Sequence, residues 1–191
     1  MSIIGLLLLA AVVVLAVYGI SVYNNLVTLK HNVSKAWANI DVLLKQRHDE
    51  LPKLIDTCKT YMKFEQETLE KVMRARASVA SAQQSGNVGA LSAAEGEMRA
   101  GLGRLFAVAE NYPDLKTNEN FLQLQGRITS LENTIADRRE FYNESVNVNN
   151  VRIEQFPDSM IAGMFNFLPA QLLRVPDTEK SDVSVGEMLR S

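Results

Sequence analysis

The chain has 191 residues, a formal net charge of −2 and a sequence pI near 5.8. Near-neutral charge, with no Lys/Arg stripe carrying interleaved aromatics, gives no support to a nucleic-acid partner. One cysteine and two histidines exclude an intramolecular disulfide and a multi-His metal centre.

The first element is Ile3 to Val22, IIGLLLLAAVVVLAVYGISV, with neither charge nor proline. About twenty such residues at 1.5 Å each make roughly 30 Å of helix, the thickness of a bilayer core. A helix apolar on every face belongs in lipid or in a large core, and the remaining chain is too small and polar to supply one. A cleaved secretory signal would show a basic n-region, a shorter apolar run and a small-x-small site. Here no Lys or Arg precedes Lys30, so the stretch reads as a retained single-pass anchor, residues 1–23. Lys30, Lys35, Lys45 and Arg47 all follow it, which leans toward a cytoplasmic body by the positive-inside rule. Long domains can translocate regardless of charge, so the side is left open.

From Tyr23 the pattern turns amphipathic: Leu26, Leu29, Val33, Ala36/Trp37, Ile40 and Leu43/Leu44 fall at spacings of three and four. No Gly or Pro intervenes after Gly19, which predicts one helix leaving the membrane and running to about Lys45. A break is expected at Arg47–Pro52, with acids and Pro52 opening a second helix to about Gln84. Glu67–Lys71 and Glu70–Arg74 are i,i+4 pairs in the favoured order, a modest support for an exposed helix face. Ser85–Gly89 reads as a turn and Ala90–Asn111 as a third helix. Gly96, Gly101 and Gly103 either weaken that helix or admit a close neighbour. A fourth helix starts near Thr117 or Asn118 on the 3-4-3-4 stripe Phe121, Leu124, Ile128, Leu131, Ile135. The stripe continues through Tyr142 and Val146, is interrupted by the Asn-rich 143–150 stretch, and stops at Pro157.

Phe156 to Val175 is strongly apolar but short and broken by Pro169. Ile161, Met164, Phe165, Phe167, Leu168 and Leu172 are its candidate contact residues, for a cap on the bundle, a subunit contact or an interfacial segment on lipid. The predicted architecture is all-α: a transmembrane helix continuous with a four-helix antiparallel up-and-down bundle (24–157), an apolar segment (158–176) and a polar tail (177–191).

Several separated stretches resemble the LemA family. They are Ala36–Arg47 leading to Leu51-Pro52; Glu110–Leu115; Asn120-Phe121 with Leu124-Gln125 and Glu132-Asn133; and Arg139, Tyr142, Asn143, Val146, Asn150 and Ile153 closing on Phe156-Pro157. The resemblance implies a small membrane-anchored helical bundle without an assigned enzymatic activity, in a bacterial inner membrane. Phe64-Glu65 stands where relatives often carry His-Glu, and Asn149 where they often carry an aromatic. A role needing that His, such as metal binding, does not carry over.

Catalytic chemistry has little to work with. Cys58 lies on an apolar helix face and reads as a core residue rather than a nucleophile. His48 with Asp49 and Glu50 reads as a solvated helix start rather than a metal or pH site. No cofactor is expected. Trp37, Glu110, Asn111, Tyr112, Tyr142, Asn143 and Asn150 stand out as register-fixing hydrogen-bonding groups or as a partner surface. The sequence thus points to a non-enzymatic membrane scaffold packing into a homo-oligomer. The alternative is an accessory module presented to another membrane protein, such as a peptidase, or to a ligand.

Overall fold

The computed structural model describes residues 3–174; the polar tail and the end of the apolar segment (Val175, Pro176) lie outside the described residues. Its elements are α1 (Ile3–Tyr61), α2 (Gln66–Ser85), α3 (Val88–Ala109), α4 (Pro113–Lys116), α5 (Glu119–Glu154) and α6 (Asp158–Met164). The all-helical expectation holds, with no strand among the described residues.

The described residues divide into two compact units, 3–40 with 137–172 and 41–136 with 173–174; α1 and α5 contribute to both. In the first unit, Val22, Leu26, Ala36, Ile40, Tyr142, Val146 and Ala162 are buried. In the second, the interior comes from Leu44, Leu51, Leu54 and Ile55 of α1, Leu69 and Val72 of α2, Leu91, Met98 and Leu105 of α3, and Phe121 and Ile128 of α5.

The first helix does not end before Pro52. It runs on to Tyr61 with Pro52 inside it. Proline has no N–H for the carbonyl four residues back and would normally break the helix. That carbonyl belongs to His48, and the Arg76 side chain of α2 donates to it from Nε at 2.9 Å. A guanidinium therefore replaces the missing backbone donor, and the apolar stripe Leu51, Leu54/Ile55, Cys58, Met62 stays in frame on the buried face. The expected break at Arg47–Pro52, with a second helix opening there, is accordingly wrong. The turn falls at 62–65, where no Gly or Pro marks it, and Phe64 at its tip is 93% exposed.

Elsewhere local chemistry sets the boundaries. Gly86 ends α2 in the left-handed conformation (φ 64°), where a Cβ is costly. Asn87 then caps α3 by accepting from Ala90 N at 2.9 Å, and Asn118 caps α5 by accepting from Phe121 N at 3.0 Å. Gly101 serves close packing: a Cβ there would lie 3.4 Å from Val72 Cγ2, whereas Gly103 faces open space. The Asn-rich 143–150 stretch does not interrupt α5, which stays helical through it.

Candidate functional site

The most unusual interior group is Arg47, at 1% exposure on α1. It stands in the frame Ile40, Leu44, Arg47, Leu51, where an apolar residue is expected. Its guanidinium grips both oxygens of Glu95 on α3 and donates from Nη1 to Glu132 Oε1 on α5 at 2.6 Å. Arg99 Nε lies 3.9 Å from the other Glu132 oxygen, so two cations face two carboxylates. Burial works against the charge on Arg47, but the two carboxylates outweigh it and push its pKa above the ordinary guanidinium value. A second buried acid, Glu50, accepts from Arg127 at 2.6 Å and Lys53 at 3.4 Å. The sequence reads Glu50 as part of a solvated helix start, whereas it is buried, and it marks neither cluster as a site. The available signal was a charged residue in an apolar frame: Glu95 between Leu91 and Met98, Glu132 between Ile128 and Ile135.

In the other unit a buried acid, Asp158, is paired with Arg152, but the groups that hold residues 170 and 171 are neutral. Residues 165–174 are not helical, so their backbone groups need outside partners. Asn150 meets Ala170 twice, donating to its carbonyl and accepting from its N–H, each at 2.9 Å. Tyr142 donates its hydroxyl to the Gln171 carbonyl at 2.9 Å, and its ring lies 5.4 Å from that of Trp37. Burial raises the Tyr142 pKa. Asn149, buried beside them, donates to Asn150 Oδ1 at 3.1 Å. Asn143 is half-buried on the same helix.

The corner residues belong to the second unit, so the structure does not gather all the sequence candidates into one place. Glu110 pairs with Lys116 on the surface, Asn111 is exposed, and Tyr112 donates to Glu65 Oε1 at 3.3 Å. Burial, and then the Glu65 carboxylate, raise the Tyr112 pKa.

The apolar contact residues also separate. Ile161 and Phe167 turn inward to Val22, Leu26 and Ala162, while Met164, Phe165, Leu168 and Leu172 are exposed.

These groups hold helices and backbone together. Burial pushes the Cys58 thiol up to about 12, so a thiolate is suppressed. The His48 pKa is lowered by partial burial and then by Arg76, against an opposing Asp49. Among the described residues no group of three or more His, Cys, Asp or Glu side chains could hold a metal. A groove of about 400 Å³ between α2 and α3 is lined by Lys71, Arg74 and Arg104 with Glu97. Lys71 is paired with Glu67 at 2.6 Å and Arg74 with Glu70 at 3.4 Å, as the i,i+4 spacing predicts.

Residues 36–186 match the family model described as LemA family. The chain is 25% identical over 169 residues to Protein LemA of Metamycoplasma hominis, covering 86% of this chain and 74% of that protein. It is 23% identical over 172 residues to Magnetosome protein MamQ 2 of Paramagnetospirillum magneticum, covering 78% of this chain and 63% of the relative. A similar match, 23% identical over 168 residues, joins 76% of the chain to 62% of Magnetosome protein MamQ of Magnetospirillum gryphiswaldense. The chain thus spans less than two thirds of the length of these magnetosome relatives.

Proposed function

The chain belongs to the LemA family, and from that premise we propose that it is a non-enzymatic, membrane-anchored scaffold whose copies assemble laterally. Membrane attachment is supported by α1, which has one stretch long and apolar enough to cross a membrane, none of it buried. Burying one large aliphatic side chain is favourable by about 1.5–3 kcal/mol. Leaving the twelve exposed Ile, Leu and Val side chains of residues 3–20 in water would cost on the order of 25 kcal/mol, beyond the ~5–15 kcal/mol stability of a domain. Lipid is the solvent that removes this cost.

The scaffold reading takes the second unit as an antiparallel four-helix bundle. Its cross-links support this direction: Asp41 meets Gln83 and His48 meets Arg76, while Arg47 meets Glu132 and Tyr61 meets Asn118. In each set, rising numbers on α1 meet falling numbers on the partner helix. The body faces the cytoplasm on this proposal, on the strength of Lys30 and Lys35 just past the span.

The observation that carries self-assembly is the exposed α5 face of Phe141, Val148 and Val151, spaced seven and three apart on one side of the helix. A second anchored copy supplies the same apolar seam at high local concentration. At the Glu110–Tyr112 corner, Glu110 and Tyr112 are already engaged within the chain, so their side chains give no support to the accessory-module alternative. In a Cys58→Ala background, Val148→Cys is expected to give disulfide-linked dimers in native membranes, and a cysteine at exposed Lys45 to give few. Equal, negligible cross-linking at both positions contradicts lateral packing through α5.

A further inference from the structure

The C-terminal apolar segment is attached at one level of α1, where its apolar run ends. The Tyr18 hydroxyl donates to Asp158 at 3.4 Å, and the Asp158 charge is balanced by an ion pair with Arg152. The Ile161 side chain reaches to 3.9 Å from the Cβ position of Gly19, and Ala162 packs with Val22 and Leu26. Tyr23 holds two aromatic rings, Phe165 at 4.8 Å and Phe167 at 5.8 Å.

The end of α6 decides which side chains turn outward. Asn166 is left-handed (φ 55°), Phe167 N donates to Ala162 O at 2.9 Å, and Asn166 N to Gly163 O at 3.3 Å. This is a Schellman motif, with its usual apolar contact made by Phe167 against Ala162. The turn sends Phe167 in and leaves Phe165 and Leu168 out. Phe156 (80% exposed), Met164 (74%) and Leu168 (71%) then form, with Met160 and Phe165, an outward apolar face. Residues 159–173 contain no charged side chain.

We propose that this face is a lipid-binding foot: α6 and the turn after it lie in the headgroup–acyl boundary, collaring α1 where it leaves the bilayer. This rests on the reading of α1 as a membrane span. The occupant is identified by continuity, because the apolar face begins at the level of Tyr18–Tyr23, at the end of the stretch that lipid already covers. Tyrosines are favoured at that depth, and a short apolar, uncharged segment beside them immerses without desolvating a lone charge. The Asp158–Arg152 pair lets an acid sit at the same level.

The test uses the full chain in phosphatidylcholine–phosphatidylglycerol vesicles, with lipids spin-labelled at acyl carbon 5. A Cys58→Ala background carries an environment-sensitive dye at Leu168→Cys, Leu9→Cys or Lys45→Cys. The foot predicts at least twofold quenching at 168, comparable quenching at 9 and little at 45. Quenching at 9 without quenching at 168 overturns the foot and leaves the span standing. Blue-shifted but unquenched emission at 168 assigns the face to a second protein copy and also overturns it. Loss of quenching at both 9 and 168 removes the span itself, and the foot with it.

Discussion

The two units fasten different kinds of segment with different chemistry. Asp41–Ala136 encloses a charged centre, in which Arg47 joins side chains from α3 and α5. In residues 3–40 with 137–172, the amide of Asn150 and the phenol of Tyr142 hold the backbone of a non-helical segment. Helices satisfy their own backbone groups, so helices brought together can be linked only through side chains. Charged pairs of that kind demand one arrangement, because any other leaves a charge unpaired. A non-helical segment has the reverse requirement: its N–H and C=O groups need partners, and a neutral amide supplies both at a modest desolvation cost. The neutral clamp belongs to the unit that carries the apolar run of α1, and the one buried acid among its described residues, Asp158, is paired with Arg152.

The largest expected effect comes from breaking the charged centre. Arg47→Met takes the buried cation from Glu95 and leaves Glu132 only Arg99 at 3.9 Å, and is expected to cost about 3–5 kcal/mol in denaturant unfolding. Adding Glu95→Leu and Glu132→Met removes the stranded charges and should recover most of that loss. A triple variant as unstable as the single one would mean that the cluster acts by packing. On the neutral side, Asn150→Ala leaves two backbone groups of Ala170 unpartnered and is expected to cost about 1–3 kcal/mol. Faster amide exchange at 166–172, with residues 91–105 unchanged, would confirm that this clamp acts locally.

A smaller effect is expected at Pro52. Arg76→Leu should cost about 1–2 kcal/mol in the parent chain, since the His48 carbonyl then has no donor. In a Pro52→Ala background the restored N–H should shrink that loss to a few tenths. Equal losses in both backgrounds would show that Arg76 does not stand in for the missing donor.

The effect at Cys58 is absent at neutral pH and shows only in alkali. Its folded pKa of about 12 lies above its ordinary value of 9.0, so the folded state keeps a proton that the unfolded state loses between those limits. Stability should therefore fall as pH rises above about 9, and less steeply in Cys58→Ala. Identical thermal profiles between pH 8 and 10.5 would contradict the burial of the thiol.

What was legible in the sequence depended on whether a signal was local. The apolar run, the family motifs, the caps at Gly86 and Asn118 and the α5 stripe could all be read from neighbouring residues. Pro52 misled because its usual consequence is cancelled by Arg76, a residue distant in sequence. The turn at 62–65 carries no breaker, and its links are tertiary: Tyr61 to Asn118 and Glu65 to Tyr112. Arg47, Glu95 and Glu132 each sat in an apolar frame, and a charge in such a frame calls for a buried counter-charge. Which acid meets which base could not be read from periodicity. Tyr142 and Asn150 stood out as hydrogen-bonding groups, yet their partners are backbone atoms at 170 and 171, which no side-chain pattern encodes.

The proposal that copies of this anchored chain assemble laterally is tested most directly by mass. Full-length protein should be extracted with its native lipid into nanodiscs and the protein mass per disc measured by mass photometry. The account predicts discs holding two or more copies, shifting toward one in Phe141→Ser/Val148→Ser/Val151→Ser. Discs holding a single copy, unchanged in that variant, would contradict it.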